Sequence, residues 1–223
     1  MEIFVSGDPA HEAARWLARR VRAAVRARGA ASVALSGGSS APAMIAAWRD
    51  PAAVGDVAWD AVTVWQVDER VAPDGDPARN AGQLDGLPCA VHPMPVTAAD
   101  LRAAARRYAN GLPERFDVVH LGIGPDGHTA SWPPGRGDIV TSERAVELVD
   151  EFNGLPRMTL TGRVVNAARA RLVLAYGADK REQVSRWLLG DRELPIGAVR
   201  RASTVAFLDP TAAPDAPLVR RER

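Results

Sequence analysis

Cysteine and long apolar runs are scarce in this chain of 223 residues. The single cysteine, Cys89, excludes an intramolecular disulfide and is typical of a reducing compartment. No stretch approaches the roughly 18 consecutive apolar residues of a membrane-spanning helix, and the N-terminus lacks an apolar core of the signal-peptide type. We therefore expect a cytoplasmic protein with no membrane partner.

An excess of charge of one sign is also missing, because 28 basic side chains face 27 acidic ones. A net charge of +1 gives no global attraction to nucleic acid or to anionic membranes. The first helical segment is rich in arginine, at Arg15, Arg19, Arg22 and Arg26. These side chains could contact nucleic acid, but a solvated helix face is the simpler interpretation. We predict no nucleic-acid partner.

Short apolar runs alternate with helical patterns, which predicts an α/β fold with a mostly parallel sheet. The predicted strands are EIFV, SVALS, AVTVWQV, FDVVHLGI, RLVLAYG and TVAFLD, and the predicted helices run from Pro9 to before Gly29, through Met44 to Trp48, from 101 to 108 and from 180 to 189. The segment 72–95 is rich in Pro, Gly and Asp and predicts a long irregular connection. With no repeat or linker in view, we expect one domain over 1–223.

The stretch SGGSSAP follows the predicted strand SVAL and precedes a helix. Its glycines let backbone N–H groups turn toward a ligand, and a helix N-terminus favours anions such as phosphate. Ser39 or Ser40 is suited to cap the helix and Pro42 to its first turn. An ordinary strand–helix turn would need the same residues, so the stretch alone leaves both interpretations open.

The stretch GIGPDGHTAS, residues 122–131, satisfies the dinucleotide-binding pattern G-x-G-x-x-G. Pro133 and Pro134 leave room for about one helical turn, whereas that motif opens a long helix. The alternative is a loop that carries chemistry: Asp126 is within reach to orient His128, whose imidazole is suited to take a proton from water. A histidine merely hydrogen-bonded in a tight loop is the structural alternative.

A third segment with candidate functional side chains, Asp68 to Arg70, lies at the end of a predicted strand. Arginine at a strand tip can bind an anion or stabilise charge on a carbonyl oxygen, although a surface cluster of ion pairs would also fit. Arg157 and Lys180 are weaker candidates for phosphate contacts. Lys180 stands at a helix start, where the helix dipole disfavours a cation unless an anion is bound. Metal-binding spacings are absent from the sequence, and we predict neither metal nor cofactor.

Taken together, SGGSS, VDER with Asn80, GIGPDGHTAS, RMTLT and GADK resemble, in this order over residues 3–210, the 6-phosphogluconolactonase family. The resemblance implies a Rossmann-like three-layer α/β/α sandwich and hydrolysis of a sugar-phosphate lactone in the pentose phosphate pathway. It also implies a small-molecule sugar-phosphate partner and a monomer or weak homodimer. Glucosamine-6-phosphate deaminases of the same superfamily look similar, but their tract after D-G-H departs from T-A-S.

By position in the motifs, the resemblance implies that His128 activates water, that Asp126 holds its ring, and that Arg70 with Asp68 stabilises negative charge. The implied substrate and phosphate contacts are Ser36, Gly37, Gly38, Ser39, Gly124, Arg157 and Lys180.

Two stretches depart from the family pattern. The tract Trp132 to Pro134 is expected to reshape the pocket wall, and the segment 150–156 brings acids where the family has a lysine. Two further hypotheses stay open: an amino-sugar phosphate deaminase or isomerase with Asp68 or Glu69 as acid, and a non-catalytic sugar-phosphate-binding protein.

Overall fold

The computed structural model describes residues 1–215. The strands are β1 (Glu2–Val5), β2 (Ala31–Leu35), β3 (Val62–Gln66), β4 (Asp68–Arg70), β5 (Ala90–His92), β6 (Val118–Leu121), β7 (Val146–Phe152), β8 (Leu155–Leu160), β9 (Ala170–Ala175) and β10 (Thr204–Leu208). The α-helices are α1 (Pro9–Arg28), α2 (Ala41–Arg49), α3 (Pro51–Val54), α4 (Leu101–Gly111), α5 (Gly137–Thr141), α6 (Gly162–Ala167) and α7 (Arg181–Leu188).

A seven-stranded sheet in the order β1-β10-β9-β6-β2-β3-β5 forms the centre, and all its pairings are parallel. Successive residues of β2 enter different cores: Val33 and Leu35 pack under α1 and α2, and Ala34 packs on the opposite side. Both faces of the sheet are therefore covered, as parallel sheets require. The predicted three-layer α/β/α architecture is confirmed.

The longest helix, α1, has recognisable start and stop signals. The Asp8 side chain accepts a hydrogen bond from the His11 backbone at 3.3 Å, and Pro9 occupies the first turn, where its missing N–H costs nothing. Gly29 ends the helix at φ 77°, a left-handed value that glycine adopts readily. Leu17 and Val21, on the buried stripe of α1, are fully buried, so burial of this face fixes the helix on the sheet.

A second sheet, with the order β4-β8-β7, is antiparallel and was not predicted. The residues DER do not extend β3 but form β4, which pairs with β8. Asn153 and Gly154 link β7 to β8 at φ 53° and 81°, positive values that suit a two-residue hairpin. The prediction of an irregular connection over 72–95 was also wrong in part, because β5 lies within it and joins the edge of the main sheet.

Each helix in residues 1–215 is too short or too polar to form a membrane span. The expectation of a single domain over 1–223 stays a prediction, and its last eight residues, 216–223, lie outside the described range.

Candidate active site

One buried carboxylate joins two of the three loops that the sequence singled out. Asp68 is only 4% exposed, and its two oxygens accept from different hydroxyls. Ser36 Oγ, after β2, donates to Asp68 Oδ1 at 3.2 Å, and Ser131 Oγ, after β6, donates to Oδ2 at 2.7 Å. Because β2, β3 and β6 are neighbours in a parallel sheet, their carboxyl ends bring these groups together.

The glycine loop between β2 and α2 presents free backbone donors. Within residues 1–215, the N–H groups of Gly37, Gly38 and Ser39 donate to no acceptor. Gly38 has φ 99°, a conformation that glycine adopts without strain. Ser40 is at the N-cap of α2 as predicted, but its hydroxyl makes no capping bond. The loop therefore leaves several donors unused at a helix start, an arrangement suited to an anion.

Asn80 supports this loop from behind. Its Nδ2 donates to the Asp68 carbonyl at 3.0 Å, and a Cβ at Gly37 would lie 2.1 Å from its Oδ1. Glycine at position 37 is thus required by the closeness of Asn80. Glu69, which is fully buried, in turn fixes the loop carrying Asn80, accepting from the backbone N–H of Asn80 at 2.7 Å and pairing with Arg79 at 3.1 Å.

His128 lies in a tight loop after β6, with its ring held on one side by Asp126. Asp126 Oδ1 contacts His128 Nδ1 and also accepts from the His128 backbone N–H at 3.1 Å. Partial burial opposes ionisation, but these contacts with His128 prevail and hold the pKa of Asp126 below its usual value. The His128 side chain remains 24% exposed, so the pair is open to a small molecule.

Gly124 leaves the space that the His128 ring occupies. A Cβ at Gly124 would lie 2.0 Å from the ring atoms Cε1 and Nδ1. Its backbone N–H donates to the His128 carbonyl at 2.8 Å, so this donor is already used within the loop. Gly127, with φ 82°, completes the turn and donates to the Gly124 carbonyl at 3.0 Å. Gly124 therefore contacts both the ring and the backbone of His128 and helps to fix the position of this residue.

Two arginines meet where β4 and β8 pair. Arg70 and Arg157 are Cα partners in the antiparallel register, and Arg157 is buried. Burial and the nearby Arg70 lower the pKa of Arg157, against the opposing effect of the Asp68 and Glu69 carboxylates. Like charges directly opposite each other are destabilising, and an anion between the guanidinium groups would relieve this repulsion.

Lys180 lies farther round the sheet, after β9. Its ammonium pairs with the neighbouring Asp179, and its side chain is 15% exposed. Tyr176, which ends the same strand region, donates its hydroxyl to the Ser40 carbonyl and so connects this loop to the start of α2. Within residues 1–215, the Lys180 ammonium makes no hydrogen bond or ion pair to the glycine loop, and its role as a phosphate contact stays a prediction.

Two features of the site escaped the sequence prediction. Trp132 does not line a pocket wall: it is fully buried, and its indole N–H donates to the Leu160 carbonyl at 2.8 Å, which ties the His128 loop to β8. Phe152 was overlooked altogether, although its ring lies 4.9 Å from the His128 ring, nearly perpendicular to it. The dipeptide Asn153-Gly154 was the signal for the hairpin that delivers Phe152.

No group of three or more His, Cys, Asp or Glu side chains within residues 1–215 is arranged to hold a metal ion.

The fold and the site together define an α/β protein with a candidate hydrolytic centre at the carboxyl ends of a parallel sheet. Residues 6–207 match the family described as glucosamine-6-phosphate isomerases/6-phosphogluconolactonase, and the chain belongs to this family.

A similar curated protein is the 6-phosphogluconolactonase of Streptomyces coelicolor, 36% identical over 93% of this chain and 90% of that protein. The crystal structure of the Thermotoga maritima 6-phosphogluconolactonase superposes with a TM-score of 0.84 at 22% identity, covering 93% of this chain and 99% of that one. A monomeric glucosamine-6-phosphate deaminase superposes almost as well, with a TM-score of 0.81 at 19% identity, covering 95% and 98%. The fold therefore does not separate the two activities.

Proposed function

We propose that this protein hydrolyses 6-phospho-D-glucono-1,5-lactone to 6-phospho-D-gluconate in the oxidative pentose phosphate pathway. Family membership and the names of relatives such as the Streptomyces coelicolor protein support the reaction class. The observation that carries the proposal is the shared carboxylate Asp68, which holds Ser36 of the anion-suited loop and Ser131 of the histidine loop at once. This link supports the proposal, because hydrolysis of a phosphorylated ester needs its phosphate contact and its proton acceptor at a fixed separation.

In the proposed mechanism His128 is the general base. Its Nδ1 faces Asp126, which leaves Nε2 to take a proton from a water molecule as the water oxygen bonds to the lactone carbonyl carbon. The carbonyl π electrons move to the oxygen, where Arg70 stabilises the oxyanion. The intermediate collapses, the bond between carbon 1 and the ring oxygen breaks, and His128 returns its proton to the departing ring oxygen. Asp126 stabilises the imidazolium between the two transfers.

The phosphate lies, in this proposal, on the free N–H groups of Gly37, Gly38 and Ser39, with Arg157 and Lys180 supplying positive charge. Binding energy from a group remote from the ester positions the carbonyl at His128 and raises the rate of the chemical step. The proposal places the protein in the cytoplasm as a monomer or weak homodimer.

The alternative, an amino-sugar phosphate deaminase or isomerase, would need a carboxyl group that exchanges protons with the substrate. Asp68 and Glu69 are the candidates, and each is buried and already accepts hydrogen bonds from protein donors. A carboxylate whose oxygens are engaged in this way has little accepting capacity left for a substrate. This favours the lactonase over the deaminase.

The test is hydrolysis of freshly generated 6-phosphogluconolactone and of unphosphorylated gluconolactone by the wild type and by His128→Ala, after subtraction of spontaneous opening. His11→Ala is the matched control, because His11 also pairs with a nearby carboxylate, Asp8, at 2.7 Å, but at the start of α1 and not in the loop after β6. We expect a wild-type rate far above background with a preference for the phosphorylated lactone, a loss of about 10²–10⁴-fold in His128→Ala, and no loss in the control.

Each alternative has its own outcome. Ammonia release from glucosamine 6-phosphate without lactone hydrolysis would establish the deaminase. Wild-type catalysis that His128→Ala leaves intact would remove His128 as the base, and binding of sugar phosphate without any turnover would favour the non-catalytic protein.

A further inference from the structure

Three side chains, from the His128 loop, β7 and β8, contact one another in series beside the candidate active site. The Phe152 ring lies 4.9 Å from the His128 ring, with an angle of 85° between their planes. The Arg157 guanidinium lies over the same Phe152 ring, with its central carbon 5.2 Å from the ring centre. Phe152 is itself buried. The Phe152 ring therefore contacts both the proposed base, His128, and the cationic side chain proposed to bind the phosphate, Arg157.

The contacts around His128 restrict its ring on several sides. Asp126 holds Nδ1, the backbone of Gly124 leaves no room for even a methyl group beside the ring, and Phe152 adds an aromatic contact. Perpendicular arrangements of aromatic rings at this separation are favourable beyond the burial of apolar surface. With these contacts made, the imidazole has little freedom to rotate, and Nε2 keeps its direction.

Arg157 is attached to Phe152 by two contacts of different kinds. Its Nε donates to the Phe152 carbonyl at 3.1 Å, and its guanidinium plane lies near the ring, a cation–π arrangement. The backbone contact survives any substitution of the Phe152 side chain, whereas the ring contact does not. Substitution at position 152 thus isolates what the ring contributes.

The hairpin turn explains why the ring reaches this place. Phe152 and Leu155 are paired across the turn, with only Asn153 and Gly154 between them. A two-residue turn with both φ values positive fixes the register of the hairpin, and register decides which face each side chain takes. The acids Asp150 and Glu151, on the same strand end, are exposed. The residue that this segment buries beside the site is aromatic.

We propose that Phe152 is a positioning residue that sets the His128 imidazole and the Arg157 guanidinium together, and that it thereby contributes to selectivity for phosphorylated lactones. The inference rests on the proposed function for its kinetic consequence, but its geometric part does not. Loss of the ring disturbs the base, which lowers kcat on any lactone. It also disturbs the cation, which raises KM only where a phosphate is present.

The experiment compares wild type, Phe152→Leu and Phe152→Tyr on phosphorylated and unphosphorylated gluconolactone, with Leu155→Ala as the control at the same turn. For Phe152→Leu we expect kcat to fall on both substrates and KM to rise for the phosphorylated one alone, each by about two- to tenfold, the range for an aromatic contact. Phe152→Tyr keeps the ring and should stay within about twofold of wild type, as should Leu155→Ala.

A second measurement is independent of activity. In ¹⁵N-labelled protein, the Nδ1 proton of His128, assigned by its absence in His128→Ala, should be observed in wild type and Phe152→Tyr and lost through exchange in Phe152→Leu.

The outcomes separate the inference from the function. Wild-type kinetics and an unchanged His128 proton in Phe152→Leu would overturn the inference while leaving the lactonase intact. Equal losses in Phe152→Leu and Leu155→Ala, with lowered melting temperatures, would reduce Phe152 to a structural residue and also overturn it. Absence of lactonase activity in wild type would sink the proposed function, and the proton measurement would still decide whether Phe152 holds His128.

Discussion

Replacing Gly124 by alanine should remove most of the proposed activity without unfolding the protein. The added Cβ would lie 2.0 Å from two atoms of the His128 ring, whereas ordinary contact begins near 3.4 Å. The ring must therefore move by more than an ångström. It cannot do so and keep its contact with Asp126, because both belong to one tight turn closed by the Gly124 N–H bond to the His128 carbonyl.

The expected loss of kcat in Gly124→Ala depends on how far the His128 ring is displaced. A displacement of about 1 Å in a catalytic group costs on the order of 10²-fold, and complete loss of a general base costs about 10²–10⁴-fold. We expect kcat to fall by about 10²–10³-fold, which corresponds to about 3–4 kcal/mol of transition-state stabilisation. The fold should hold, because the His128 side chain is partly exposed and belongs to neither hydrophobic core.

The assay is steady-state hydrolysis of the phosphorylated lactone beside thermal unfolding. Gly82→Ala is the matched control, because a Cβ there meets no atom within 4 Å and the backbone needs no positive φ. The double variant Gly124→Ala/His128→Ala should be no slower than His128→Ala, since Gly124 acts through His128. More than a tenth of the wild-type rate in Gly124→Ala, or additive losses in the double variant, would refute the reasoning.

Three further predictions each rest on one feature of a single side chain. Asp126→Asn should lower kcat by about 10²-fold with little change in melting temperature, because the imidazolium loses its counter-charge; an unchanged rate would remove Asp126 from the mechanism. Tyr176→Phe should raise KM for the phosphorylated lactone by about fivefold, the worth of one hydrogen bond, and leave the unphosphorylated lactone unaffected. Burial lowers the pKa of His120 from 6.5 to about 4. Between these pH values, His120 binds a proton in the unfolded chain but not in the folded protein. As pH falls from 6.5 to 4, the free energy of unfolding of the wild type, measured with urea, should therefore decrease by up to about 3 kcal/mol more than that of His120→Leu. An equal dependence of the two unfolding free energies on pH would contradict this.

The main sheet could be predicted because its information is local. Runs such as SVALS and TVAFLD are short, apolar and separated by helical patterns, and each forms a strand in the expected order. The second sheet could not be predicted in the same way. β7 contains acids on its exposed face, and β4 is only three residues long, so neither has a clear alternation. The Asn153-Gly154 turn was the one local signal for this sheet, and it indicates the hairpin but not its partner β4.

The candidate site shows the same division. The contact between Asp126 and His128 spans two residues and was predicted from the sequence. The bond from Ser131 to Asp68 spans 63 residues, and nothing in either motif specifies that the two meet. Only the order of strands in the folded sheet brings them together. The individual side chains were therefore recognisable in the sequence, whereas their mutual support was not.

The double attachment of Asp68 also bears on how such a site can change over evolutionary time. Ser36 and Ser131 each donate to one oxygen of the same buried carboxylate. Loss of either hydroxyl leaves that oxygen without a donor, so the buried Asp68 carboxylate then destabilises the fold. A lineage that replaces Asp68 would leave both hydroxyls without their acceptor. We expect positions 36, 68 and 131 to change as a set among relatives, because intermediates with a partial set are the least stable.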